Sequence, residues 1–530
     1  MSDWSFASVW HGIAEATPDR DAIVCGERRF RFGQFDDRAR RLAWHLVQEA
    51  GVEPGDKVAI DLVNRPEYLE TFFAALKLGC VPVNVNYRYV ADEVHYVVDN
   101  SDAKAVVCGP ELAGMVKMAL KRIQKPWRPF ILQAGEPYEA ALAAAPPAAE
   151  WEPAHRPSGD DLIFLYTGGT TGMPKGVMWR NDDLYVALWR MGRPGTEPPD
   201  PIAAVRDGKR AGTCLPACPL MHGTGLFIAL STLSGGATVV LIDEPGLDPA
   251  RMWTEVERNA VEVLTIVGDV FARPLLAALD AEPERWDLSS LRAITSSGVT
   301  WSPETKAGLL RHVPHVVLLD SLGASEGMAS RQAATADDPE IKPARFAVNE
   351  RVKVFREDTG EEVTPGSDQI GLLAVGGRIP LGYWRDPEKT AQTFRVIGGR
   401  RYALAGDYAQ VDADGTIRLL GRGSASINTG GEKVYPEEVE LTLRKHPSVF
   451  DCVVVGVPDA RFGEVVVALV QVTDGHYLDE GELDAWCRSR LAGYKKPRRF
   501  LFVDTLDRNA AGKANYKQLR AMAEEQLRRP

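Results

Sequence analysis

The 530 residues are enough for two to four compact units, and 45% hydrophobic with 25% charged residues is an ordinary globular mixture with material for large cores. A net charge of −11 argues against a dedicated nucleic-acid binder, which would present a basic face, but leaves room for a local basic cleft that takes anions. The first residues show no basic segment leading into an apolar run, so no secretory signal is expected, and apolar runs such as Cys452–Val457 are too short to cross a bilayer.

In chain order, Lys57–Leu62 reads as a strand, Asn64-Arg65-Pro66 as a helix start, Glu67–Leu78 as the helix, Gly79 as its stop and Val81–Val85 as a second strand. Strand–helix–strand with short joints is a parallel crossover unit. Ala105–Cys108, Ala237–Ile242, Val263–Val267 and Val316–Leu319 extend the pattern, so about the first 350 residues are expected to form an α/β body of mostly parallel sheets. Residues 135–160 read as a surface connection, and the proline-rich stretch Thr196–Lys209 as a flexible loop. The seven cysteines are scattered and odd in number, which suits reduced cytosolic thiols and a cytoplasmic protein; Cys214 and Cys218 read as small apolar fillers.

From Gly371 the texture shifts to short β-type runs with turn punctuation. After Arg422 the order is hairpin, helix (Pro436–Arg444), strands (Cys452–Val457, Val465–Val472), helix (Asp479–Leu491), strand (Phe500–Val503) and a final helix. That is an α+β unit large enough to be a domain.

One string carries the chemistry. The strand Asp161–Tyr166 runs into Thr167-Gly168-Gly169-Thr170-Thr171-Gly172-Met173-Pro174-Lys175-Gly176-Val177. Its glycines let backbone amides approach an anion, its threonines add hydroxyls, and Lys175 adds charge. A Walker loop is excluded, because Pro174 stands where its second Gly belongs and Gly176 where its Ser/Thr would bind magnesium.

The full string resembles the signature of the adenylate-forming superfamily of acyl-CoA synthetases, peptide-synthetase adenylation domains and beetle luciferases. Further stretches of the chain match that family in order. Pro219-Leu220-Met221-His222-Gly223-Thr224-Gly225 resembles its second element, where His222 would gate the join between nucleotide and acyl pockets. Asp320-Ser321-Leu322-Gly323-Ala324-Ser325-Glu326 resembles the element in which Glu326 is the Mg²⁺ ligand, Ser325 contacts phosphate and Asp320 contacts adenine. Magnesium takes few carboxylates plus phosphate oxygens, so one Glu suffices. Leu322 departs from the aromatic residue that usually covers the base. The segment from Gly382 to Thr390 matches a family element that is expected to be structural, without a part in the chemistry.

Asp407 falls where the family places the carboxylate for both ribose hydroxyls, with Arg422 beside it on ribose or phosphate. Ser424 stands at the hinge, where Asp or Lys is usual. Ile427 to Glu440, with Gly430, Gly431 and Lys433, resembles the loop lining the pantetheine path, and Lys513 the terminal lysine that bridges substrate carboxylate and α-phosphate.

The resemblance implies an α/β fold: a body at 1–421 with a small β-barrel-like part, a hinge at 422–425, and a mobile α+β C-terminal lid at 426–530. It also implies ATP, Mg²⁺ and coenzyme A, with Lys513, Glu326, His222 and Thr167 as the catalytic set. Thr167, Gly168, Gly169, Thr170, Thr171, Gly172, Lys175, Gly298, Asp320, Ser321, Leu322 and Ser325 are expected to hold the nucleotide. Met221, His222, Thr224, Gly298, Gly323 and Ala324 are expected around the acyl group; these and their neighbours are apolar or small, with no charge beyond Asp269. A bulky apolar acid, fatty or steroid side-chain, is therefore expected as substrate. No nucleic-acid partner or membrane span is expected, and a homodimer is a family-level expectation. The alternatives are an aryl or arylalkanoate ligase, an enzyme loading a carrier protein, and a non-catalytic nucleotide-binding homologue. No carrier-type domain follows Lys513, which favours CoA over a carrier.

Overall fold

The computed structural model describes residues 3–169, 172–191, 193, 195–208, 212–298, 301–338, 341, 345–422, 427–429, 432–459, 462–491, 493–508 and 514–528. The expected crossover unit is present: strand Lys57–Asp61, helix Pro66–Lys77 and strand Val81–Asn84, the strands parallel with Lys57 opposite Val81. Pro66 occupies the first helical turn, where its missing N–H leaves nothing unpaired. Every residue of this helix is buried, so its charged side chains are paired: Arg28 and Arg65 hold Glu67, while Arg38 and Tyr138 hold Glu70.

Two large sheets follow one plan, a parallel interior flanked by an antiparallel hairpin. In the first, Phe130–Gln133, Ala103–Cys108, Lys57–Asp61, Val81–Asn84 and Leu162–Gly169 run parallel; Gly172–Arg180 and Gly382–Tyr383 then add antiparallel. In the second, Asp21–Cys25, Thr238–Leu241, Thr213–Pro216, Val263–Ile266, Ala293–Ser297 and Val317–Ala324 run parallel, and Gly327–Ala334 turns back on the last. Interior strands buried on both faces need continuous apolar runs, which is why they were legible in the sequence.

Two connections differ from expectation. Within 135–160, Glu136–Ala144 is a helix: Pro137 sits in the first turn, alanines follow, and Tyr138 is fully buried with its hydroxyl 2.8 Å from Glu70. Within Thr196–Lys209, Pro201–Arg206 is a helix, because Asp200 caps it by accepting from the amides of Ile202 and Ala203 and Pro201 pre-sets its first turn.

A third, antiparallel sheet spans Phe346–Arg422. The barrel-like part expected in the body is an open sheet among the described residues, since no pairing joins Phe346–Ala347 at one end to Phe394–Ile397 at the other. Beyond it come the hairpin Ile427–Thr429 and Glu432–Val434, helix Pro436–Arg444, strands Val449–Asp459 and Gly463–Val472, helix Glu480–Arg488, strand Arg499–Phe502 and helix Tyr516–Arg528, the order read from the sequence. This region buries two apolar clusters drawn only from its own residues, one around Val439, Leu443 and Leu483, the other around Val453, Val467 and Leu519. No helix among the described residues is long and apolar enough to cross a membrane.

Candidate active site

The Gly/Thr string continues the sheet instead of leaving it as a loop. Strands Leu162–Gly169 and Gly172–Arg180 form a hairpin with Thr167 opposite Lys175 and Gly169 opposite Gly172. Thr170 and Thr171, between Gly169 and Gly172 in the chain, lie outside the described residues. The β-branched threonine favours the extended backbone, and pairing satisfies amides that a free loop would leave to solvent.

Ser325 and Glu326 form the two-residue turn of the other hairpin, between Ala324 and Gly327. The two hairpins belong to different sheets, and aromatic residues tie them together. Trp179 donates its indole N–H to the Ser325 carbonyl at 2.9 Å. Tyr383, buried and paired in the first sheet opposite Val177, donates its hydroxyl to Glu326 Oε1 at 2.8 Å. Lys175 Nζ lies 5.6 Å from the Tyr383 ring and 3.5 Å from Asp386 Oδ2, both partners of that ion pair about one-third exposed. Glu326 and Lys175 thus meet around one side chain. The Gly382–Thr390 element, expected to be structural only, therefore supplies a site residue; its aromatic residue between Gly and Trp was the signal in the sequence.

Two asparagines hold the remaining loops, and neither stands out in the sequence. Asn84 accepts from the Tyr166 amide at 2.6 Å and donates to the carbonyls of Tyr166 and Met221 at 3.0 and 2.6 Å. It thereby joins the residue before Thr167 to the residue before His222. Asn64 accepts from the Leu220 amide at 2.7 Å and donates to the Cys218 carbonyl at 3.1 Å. Asn64 follows an apolar strand and Asn84 ends one, places where an isolated Asn is costly to bury unless it is fully bonded. His222 occupies the N-cap position of helix Gly223–Ser234 in extended backbone.

Of the expected acyl-site residues, Gly298 and Thr224 come together, with Val267 beside them: a Cβ on Gly298 would stand 3.6 Å from Val267 Cγ1 and 3.9 Å from Thr224 Oγ1. Gly298 has φ +95°, a conformation that favours glycine. Ser321, Leu322, Gly323, Ala324 and Ser325 are all half-buried. The expectation of no charge beyond Asp269 is corrected by two neighbours. Asp320 is buried, and its carboxylate takes the ammonium of Lys306, itself 1% exposed. Burial pushes the Asp320 carboxyl above its usual range, against the pull of Lys306. Arg331, directly opposite Ser321, donates to its hydroxyl at 3.2 Å. Lys306 and Arg331 were hidden in the sequence because pairing across strands and helices brings them in.

Asp407 begins the strand Asp407–Val411 with Arg422 as its cross-strand partner. Lys433 lies in the strand Glu432–Val434. Ser424, Gly430, Gly431 and Lys513 lie outside the described residues. Gly421 has φ +104°, a conformation that favours glycine, and a Cβ there would stand 1.8 Å from the Glu437 carboxylate of the next helix, which would have to move aside. Among the described residues no group of three or more His, Cys, Asp or Glu is gathered to hold a metal unaided. All seven thiols are free and buried, and burial pushes those of Cys214 and Cys218 up to about 12, which keeps them protonated and unreactive near neutral pH.

Comparison with known proteins adds three findings. The family model described as AMP-binding enzyme matches residues 11–384, and the AMP-binding enzyme C-terminal domain matches 438–513. The chain is 40% identical to a medium/long-chain-fatty-acid–CoA/3-oxocholest-4-en-26-oate–CoA ligase of Mycobacterium tuberculosis, covering 97% of this chain and 95% of the relative. It is 39% identical to the 3-oxocholest-4-en-26-oate–CoA ligase of Rhodococcus rhodochrous, over 96% and 94%. Among solved structures, an anthranilate CoA ligase in complex with anthranoyl-AMP superposes with a TM-score of 0.84 over 99% of this chain and 98% of that one; at 22% identity this speaks to fold alone.

Proposed function

The chain belongs to the AMP-binding enzyme family, and from that membership we propose that it is an AMP-forming acid–CoA ligase. It activates a carboxylic acid with ATP as the acyl-adenylate, releases pyrophosphate, and passes the acyl group to the thiol of coenzyme A. The acid is bulky and apolar, a medium- or long-chain fatty acid or a steroid side-chain acid. The observation that supports this most strongly is the convergence of Glu326 and Lys175 on Tyr383, where a phosphate-type hairpin and a carboxylate turn from two separate sheets are joined.

The chemistry follows from charge. A carboxylate leaves poorly as an acyl donor, and its approach to an α-phosphate brings two anions together. Donors aimed at that developing charge in a water-poor site lower the barrier most. The Gly/Thr hairpin cradles phosphate through its backbone amides, and Lys175 exchanges its partly solvated pair with Asp386 for a phosphate oxygen. Tyr383 fixes one oxygen of Glu326, whose carboxylate would hold a magnesium ion, a hard cation suited to carboxylate and phosphate oxygen. Bound there, the ion would neutralise phosphate charge. Asp407 accepts the ribose hydroxyls with Arg422 beside it, Asp320 and Ser321 flank the base, and His222 stands at the passage toward Thr224, Gly298 and Gly323. Lys513, on the C-terminal domain, bridges the carboxylate and the α-phosphate. Rotation about the segment containing Ser424 then withdraws Lys513 and presents Gly430, Gly431 and Lys433 to the thiol arm. The protonated, buried cysteines fit a route without a covalent acyl-enzyme.

Acid-dependent exchange of labelled pyrophosphate into ATP tests the reading. Exchange is expected with fatty acids in wild type and is expected to be lost in Glu326→Gln and Lys513→Ala; exchange undiminished in both variants would overturn the assignment of these residues.

A further inference from the structure

We infer that Arg273 is a positioning residue, a latch that seats the C-terminal domain on the body in the arrangement that forms the adenylate; the inference rests on the function proposed above. Arg273 lies in the helix Gly268–Ala281, one turn after Asp269, whose Oδ2 is 3.3 Å from its Nε. Asp269 is itself fixed, since its Oδ1 accepts from both the amide and the hydroxyl of Ser302 at 3.0 Å. The body thus holds one side of the guanidinium. The other side crosses to the C-terminal domain, donating to the carbonyl of Val449 at 3.4 Å and more closely to that of Phe450, whose ring centroid is 6.0 Å away.

The place of these carbonyls gives the contact its consequence. Val449 and Phe450 open the strand Val449–Asp459. The next residue, Asp451, binds Arg508 through both carboxylate oxygens, Nε to Oδ2 at 2.6 Å and a terminal nitrogen to Oδ1 at 3.1 Å. Arg508 also donates to the Cys452 carbonyl at 3.3 Å. Arg508 stands five residues before Lys513 in the chain and is itself anchored on the strand that Arg273 grips. The hairpin Ile427–Val434 joins the same sheet elsewhere: it pairs with the strand Gly463–Val472, Thr429 opposite Gly463, and not with the gripped strand. The latch therefore bears on the half-reaction that needs Lys513 rather than on the one that needs the hairpin. Because the guanidinium reads main-chain carbonyls, its grip depends on the position of the strand and not on which side chains the strand carries.

The test separates the half-reactions in the full-length protein, with dodecanoate as the probe acid. Single-turnover formation of dodecanoyl-AMP is measured without CoA, and conversion of supplied dodecanoyl-AMP plus CoA is measured independently. Arg273→Ala is expected to slow the first step by roughly tenfold or more, the loss of charge-assisted bonds, and to leave the second within roughly twofold. Arg273→Lys, which keeps one donor and the charge, restores part of the first step, and Arg273→Gln serves if the alanine variant folds poorly. Equal losses in both steps, a loss confined to the thioester step, or no loss would each overturn the latch. A wild-type protein that forms no adenylate from any acid would overturn the proposed function itself and the latch with it.

Discussion

Replacing Tyr383 with Phe isolates one atom of the proposed site. The ring stays, with its edge contact to Phe394 at 5.6 Å and its place over Lys175, while the hydroxyl that donates to Glu326 Oε1 at 2.8 Å is removed. A hydrogen bond to a charged group contributes about 1.5–3 kcal/mol. Glu326 is half-buried, so water replaces part of the loss and the effect falls near the lower figure, about tenfold in an equilibrium constant. The loss is felt where Glu326 acts, in orienting an oxygen toward magnesium. In pyrophosphate exchange titrated with Mg²⁺, Tyr383→Phe should raise the half-saturating concentration by roughly tenfold, with the melting temperature moved by no more than about 2 °C. A variant with wild-type Mg²⁺ dependence, whatever its maximal rate, would refute the argument that Tyr383 sets the Glu326 carboxylate.

Other substitutions probe the supports of the site. Asn84→Ala strands the Tyr166 amide and the Met221 carbonyl; it should cost about 1–3 kcal/mol in chemical unfolding and slow exchange as the two loops lose register. Lys306→Met leaves Asp320 buried without its cation and should destabilise by about 3–5 kcal/mol, most of which the double change Lys306→Met with Asp320→Leu recovers. Asp61, fully buried with neither carboxylate oxygen bonded, is pushed up to about 7 by burial. The unfolded carboxyl ionises near pH 4 and the folded one near 7, so its contribution is full below pH 4 and roughly 4 kcal/mol is withdrawn by pH 7. Unfolding midpoints at pH 5 and pH 8 should therefore lie closer together in Asp61→Asn than in wild type, and an unchanged gap would count against a buried proton there. The double variant Cys214→Ala and Cys218→Ala should keep acyl-CoA formation, since both thiols are packing groups.

The sequence disclosed what repeats a physical pattern and hid what long-range pairing creates. Continuous apolar runs marked the parallel strands from Lys57 to Val83, and Pro436 marked a helix that spans Pro436–Arg444 as expected. The helices Glu136–Ala144 and Pro201–Arg206 were missed because their prolines were counted as breakers, whereas proline in a first turn starts a helix. The Gly/Thr string was recognised by its residues, yet its form was not: only the pairing of Thr167 with Lys175 reveals a hairpin. Asn64, Asn84, Lys306, Arg331 and Tyr383 act across 10 to 156 residues of sequence, a distance over which no local pattern carries information.

Everything proposed for this chain depends on its joining an acid to coenzyme A by way of AMP. Mass spectrometry of products from ATP, Mg²⁺, CoA and a mixed pool of fatty, aryl and steroid side-chain acids puts that step to the test. AMP, pyrophosphate and an acyl-CoA whose acyl group is one of the fatty or steroid side-chain acids are the expected products. ADP with phosphate, or an acyl-adenylate that accumulates and is never converted to thioester, would contradict it.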